Sequence, residues 1–151
     1  TINDNLNNNQ YNIDDTNLLH VKFLGEINEN DVYFQYTQSD ALFFPSINET
    51  YGLPLIEAMK MGKYILCSDL PYAKELCLNE AIYFDPLNED SVLKAIETLR
   101  IFKITNKQPN WTEALSKIPR NWKNYSDSFI NKIVCNTSTC IYNQYVLIRK
   151  F

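Results

Sequence analysis

The sequence predicts an α/β fold: an open parallel sheet with helices on both faces, followed by further helices. Three observations carry this expectation. Strand-like and helix-like segments alternate four times between residues 20 and 101. The strand-like runs are short and apolar throughout, as strands covered on both faces are. Helix-like runs carry proline near the start and glycine past the end, most clearly at Pro54 and Gly62.

In chain order, Thr1 to Asn17 is polar and Asn-rich and reads as an extended or disordered lead-in. His20 to Gly25 is a β-branched and aromatic run closed by glycine, hence a strand. Asn30 to Ser39 spaces Val32, Tyr33 and Tyr36 as a short helix does, with Asn30 as its cap. Ala41 to Phe44 is a buried strand stopped by Pro45, and Ser46 to Tyr51 is a loop. Gly52 to Met61 is a helix, Tyr64 to Cys67 a strand, Pro71 to Cys77 a helix and Ala81 to Phe84 a strand. Asp90 to Ile101 repeats apolar residues at Val92, Leu93, Ile96 and Leu99, an amphipathic helix. Helical patterns follow over Trp111 to Ile118 and Trp122 to Val134, while Ile141 to Phe151 fits either a strand or a tail. The expected organisation is a lead-in at 1–17, one domain at 18–134 and a tail at 135–151.

Composition removes several function classes. The 151 residues contain no apolar run of 18 or more, no basic and apolar leader, and no glycine-rich phosphate loop among three glycines. One histidine, His20, excludes a His-based zinc cluster and makes a Ser-His-Asp triad improbable. Residues 1–90 carry 15 acidic against 4 basic side chains, and residues 91–151 carry 3 against 10. Such asymmetry fits two solvated faces of opposite sign, and the net charge of −4 argues against a nucleic-acid partner. Cys67, Cys77, Cys135 and Cys140 lack metal-site spacing and read as reduced thiols, in keeping with a cytoplasmic setting. No metal and no cofactor are expected.

The chemistry concentrates between Phe43 and Met59. A buried strand ends at Pro45, a polar loop follows, and a helix opens at Gly52. Ligands of open α/β sheets sit beyond the carboxyl ends of strands. A helix N-terminus there offers free amides and about half a positive charge, which suits phosphate. Gly52 allows close approach to the backbone, and the amides of Tyr51, Gly52, Leu53 and Leu55 are the candidate donors. Glu49 and Glu57 bracket the turn and can accept bonds from sugar or ribose hydroxyls. The plainer alternative makes Glu49 a solvated loop residue and Glu57 a carboxylate favoured by the helix dipole.

In this segment Glu49 and Glu57 resemble the Glu-seven-residues-Glu motif of retaining GT-B glycosyltransferases of the group 1, or family 4, class. Val21 to Gly25 is similar to the family's V-x-F-L-G strand, and Ser39 to Ser46 to its A-D-A-x-x-x-P-S strand. Glu57-Ala58-Met59 with Gly62 to Ile65 resembles E-A-M-A-x-G-x-P-V-I, with Tyr64 standing where proline is usual. Ala73 to Leu76, Tyr83 to Pro86, and Trp122 to Val134 (similar to the closing helix) extend the likeness over residues 21–134.

The resemblance implies a Rossmann-like donor-binding domain, the C-terminal half of a GT-B enzyme. Glu57 would bind ribose hydroxyls of a nucleotide-sugar donor. Glu49 would act at the transferred sugar beside the reacting centre, as the catalytic candidate. Tyr51, Gly52 and Leu53 would present amides to sugar and phosphate, Leu24 and Gly25 would lie near the base, and Ser46 at the pocket mouth. By the same resemblance, the first β-α-β unit and the N-terminal domain that binds a glycan or lipid acceptor are expected to lie outside these residues. The expectation is therefore a fragment, split product or degenerate relative, inactive alone, with an unpaired sheet edge. It would be cytoplasmic, with peripheral membrane contact. The rival readings are a non-catalytic nucleotide- or partner-binding module and, more remotely, a receiver- or flavodoxin-like domain.

Overall fold

The computed structural model describes residues 27–49, 51–118 and 146–149. The strand expected at His20–Gly25 and the helix expected at Trp122–Val134 lie outside the described residues. The elements are α1 (Glu29–Gln38), β1 (Ser39–Phe44), α2 (Leu53–Lys60), β2 (Tyr64–Ser68), α3 (Pro71–Cys77), β3 (Ile82–Phe84), α4 (Glu89–Ile104), α5 (Thr112–Lys117) and β4 (Val146–Arg149).

β1, β2 and β3 form a parallel sheet, with Leu42 opposite Ile65 and Leu66 opposite Ile82. β4 adds on the outer edge of β1, antiparallel, giving the order β3-β2-β1-β4. Within the segment that the sequence leaves between strand and tail, Val146–Arg149 is thus a strand. It also occupies an edge of the sheet that a purely parallel reading leaves without a partner.

Residue alternation along the strands divides the core in two. Leu42, Phe44, Ile65 and Cys67 face one side, where Val32 and Tyr36 of α1 and Leu55, Ala58 and Met59 of α2 cover them. Ala73 and Cys77 of α3, with Trp111 and Ala114 beside α5, complete that layer. Ala41, Tyr64, Leu66, Ile82 and Phe84 face the other side, under Ala95 and Leu99 of α4. Lys103 at the end of α4 pairs with Asp40 of β1, and the Trp111 indole donates to the Lys63 carbonyl at 2.9 Å. Cys67 and Cys77 are free and buried, as expected of core thiols.

Helix boundaries follow their caps. α4 starts a residue earlier than its apolar repeat suggests because Asn88 caps it, its side chain accepting from the Ser91 amide at 3.2 Å, and it runs on to Ile104 before Thr105 closes it. α1 is capped by Asn28, not Asn30: its side chain accepts from the Asp31 amide at 3.0 Å and donates to the Asp31 carboxylate at 2.7 Å. Asn28→Ala should therefore destabilise the chain by ~1 kcal/mol, as loss of such a cap does. Asn30→Ala, inside the helix and exposed, should be near neutral. Urea unfolding midpoints of the two variants check this.

Candidate functional site

β1 delivers the chain to the carboxyl edge of the sheet, and Pro45 ends it because proline has no N–H for the ladder. The loop that follows returns at Gly52, the N-cap of α2, with φ 61° and ψ 43°. An L side chain in this left-handed region costs ~1–2 kcal/mol. A Cβ at 52 would also lie 3.0 Å from Leu55 Cδ1 and 3.1 Å from Leu76 Cδ1. Glycine is required here by the entry angle of α2 and by its packing on α3.

The amides set aside for a ligand divide into two pairs. Gly52 and Leu53 have no intrahelical acceptor, as the first N–H groups of any helix do not. The Leu55 amide, by contrast, donates to the Gly52 carbonyl at 2.9 Å, which corrects its assignment as an available donor. The Tyr51 amide donates to Glu49 Oε1 at 3.3 Å, so Glu49 folds back on its own loop. Tyr51 itself is exposed, while Leu53 is half-buried.

The two glutamates differ in surroundings. Glu49 is half-buried in the loop. Glu57 sits in the second turn of α2, beyond the first turn that a dipole explanation needs, and is 3% exposed. Tyr36 of α1 reaches it across the sheet's covered face. The phenol donates to Glu57 Oε2 at 3.4 Å and to the Pro54 carbonyl at 3.2 Å. Glu57 is therefore closed off from solvent, unlike Glu49. A buried carboxylate is costly without partners, and α1 supplies one. Ser46 is half-buried; its hydroxyl makes a long contact, 3.4 Å, to the Asn48 carbonyl. Leu24 and Gly25 lie outside the described residues.

Two tyrosines at this site escape a reading of the sequence. Tyr36 fits a helix period and looks like core. Tyr72, second residue of α3, donates to the Ser46 carbonyl at 2.7 Å, bridging the carboxyl edges of β1 and β2. Its place just after a strand, behind Pro71, is the signal that could have found it. Burial pushes the Tyr72 hydroxyl up to about 12, with the Cys67 thiol and the Glu49 carboxylate adding to the rise. It is a proton donor at any ordinary pH.

With this geometry in place, comparison with known proteins is informative. The family model for glycosyl transferases group 1 matches residues 4–117. The chain belongs to that family, and its α/β sheet is part of a Rossmann-like GT-B domain. It is 38% identical over 79 residues to the O-antigen chain mannosyltransferase RfbU of Salmonella typhimurium, covering 52% of this chain and 22% of that protein. The O-antigen chain mannosyltransferase B of Escherichia coli is 28% identical over 72 residues, covering 48% and 19%. The serotype-specific mannosyltransferase WbdA of Escherichia coli is 35% identical over 81 residues, covering 50% and 10%. The chain thus spans a fifth or less of two of these relatives and little more of the third. No solved structure matches it.

Gly52→Ala should lower stability by ~1–3 kcal/mol, the usual cost of a non-glycine residue held in such a backbone region; chemical unfolding measures it. Tyr72 gives a pH signature. Its folded value of about 12 lies above the ordinary 10.0, so the fold favours the neutral hydroxyl. The resulting stability is complete below the ordinary value and lost as pH rises through the folded one. The advantage of wild type over Tyr72→Phe should be constant below pH 10.0 and shrink towards pH 12, read as the difference in urea midpoints.

Proposed function

We propose that the chain forms the donor-binding half of a retaining, nucleotide-sugar-dependent glycosyltransferase that transfers mannose to a growing polysaccharide or lipid-linked acceptor. The observation that carries the reading is the pair Glu49 and Glu57 straddling the Gly52 turn, at the carboxyl end of β1 in a group 1 chain. The relatives are mannosyltransferases, and they supply the sugar. Phosphate would rest on the Gly52 and Leu53 amides at the positive end of α2. Glu49 would take hydroxyls of the transferred sugar. Glu57 would take the ribose hydroxyls, with the Tyr36 phenol beside its carboxyl. Transfer would rest on positioning and on stabilisation of the leaving diphosphate, without a metal. The acceptor would bind a further domain, and the enzyme would work in the cytoplasm against the membrane surface. Among the described residues no helix is long and apolar enough to cross a membrane.

A second reading, a scaffold that keeps the fold without binding nucleotide, draws on the burial of Glu57. Titration separates the two. Charge-assisted hydrogen bonds to ribose contribute ~1.5–3 kcal/mol, so Glu57→Gln should weaken nucleoside diphosphate binding by roughly one to two powers of ten. Lys94→Gln, on the exposed face of α4, should change it little. Calorimetry with GDP and UDP decides. Equal affinities in the two variants would remove the ribose role, and no binding by wild type would favour the scaffold.

A further inference from the structure

The loop between β1 and α2 carries Glu49, and two of the hydrogen bonds within it are long. Ser46 Oγ lies 3.4 Å from the Asn48 carbonyl and the Tyr51 nitrogen 3.3 Å from Glu49 Oε1. Each lies at the weak end of the hydrogen-bond range. The bond from Tyr72 is different in kind. At 2.7 Å it joins the loop's first carbonyl to a side chain 26 residues further on. Tyr72 is itself held firmly. Pro71 before it has a fixed φ, Ala73 after it is fully buried, and Cys77 anchors the far end of the same helix. Its ring packs on the core under α2 and α3.

We propose that Tyr72 is a positioning residue: its hydroxyl, by holding the Ser46 carbonyl, sets the Ser46–Tyr51 loop and so the part of the site that reads the sugar. The inference rests on the donor-site reading in one respect, that Glu49 meets the sugar and not the nucleotide. It separates two halves of the donor. The nucleoside diphosphate is read by α2 and Glu57, whereas the Tyr72 hydroxyl bonds the loop. The sugar is read by a loop whose placement depends on Tyr72. A change at Tyr72 should therefore alter affinity for a sugar ester while leaving affinity for the parent diphosphate alone.

Tyr83 provides a matched control. Its hydroxyl also bonds backbone carbonyls of the α3 region, Leu78 and, at 3.5 Å, Ala73, but it lies away from the loop. The experiment compares the 151-residue wild-type chain with Tyr72→Phe and Tyr83→Phe. Amide hydrogen exchange is followed without ligand, and binding is titrated with GDP and UDP and with the mannose ester of whichever binds. Tyr72→Phe should speed exchange across 46–51 and weaken the mannose ester, each by about threefold to tenfold, the range expected for one lost hydrogen bond. The diphosphate should bind as tightly as before, and Tyr83→Phe should do neither. Unchanged exchange at 46–51 in Tyr72→Phe overturns the inference alone, whatever binds. Equal weakening of ester and diphosphate overturns the division between sugar and nucleotide. Failure of wild type to bind either diphosphate overturns the donor-site reading and the sugar-reading role with it.

Discussion

Strand β2 is buried at every position from Tyr64 to Ser68. A strand with no solvated face has to be covered above and below, so helices must be laid on both sides of the sheet. The chain meets this constraint unevenly. α1, α2, α3 and α5 crowd one face, while α4, the longest described helix, covers the other. Parallel strands joined through helices then all end at the same edge, and the loops after β1 and β2 lie side by side there. The contact between Tyr72 and Ser46 is a direct product of that adjacency. Without parallel pairing of β1 and β2 the two loops would leave from opposite edges. The site is therefore a consequence of how the sheet is buried.

How far the sequence discloses this depends on the kind of force involved. Apolar periodicity made the sheet and most helices readable, because burial acts on whole segments: α3 falls on the expected residues, and α2, β2 and β3 shift by a residue or so. Caps depend on one side chain choosing one amide. Asn28 and Asn30 are equivalent by composition, and only geometry shows that Asn28 bonds Asp31. β4 is harder still. A four-residue strand at an edge has no long apolar pattern, and its pairing is chosen by the open side of β1 rather than by local propensity. In the site, the spacing of Glu49 and Glu57 was legible, but the burial of Glu57 was not, since what covers it arrives from α1, some twenty residues away.

Tyrosines show a related limit. Tyr36, Tyr64, Tyr72 and Tyr83 are alike in composition, yet their hydroxyls meet different fates. Three find acceptors, at Pro54 and Glu57, at Ser46, and at Leu78. Tyr64 stands where the family pattern has proline, at the first residue of β2, a position that tolerates proline because a strand can begin without its N–H. The phenol that replaces it packs with the α4 side of the core, and its oxygen is buried with no partner among the described residues. An unsatisfied buried hydroxyl costs ~1–3 kcal/mol, and the ring's packing has to offset that.

The same accounting explains why α1 belongs to the site. A helix of ten residues cannot stand alone in water, so α1 persists by burying Val32 and Tyr36 against the sheet. Tyr36 is fully buried, and a phenol so placed must spend its hydroxyl on an acceptor. The acceptors within reach are the first turn of α2 and the carboxylate of Glu57. Core packing and site geometry are thus carried by one side chain. A shift of α1 that left the apolar contacts intact would still move the hydroxyl that reaches Glu57. The carboxylate would then rest in a 3% exposed position with one partner fewer. That coupling ties the placement of the candidate ribose-binding carboxylate to the stability of a short, Asn-capped helix that precedes the motif in the chain.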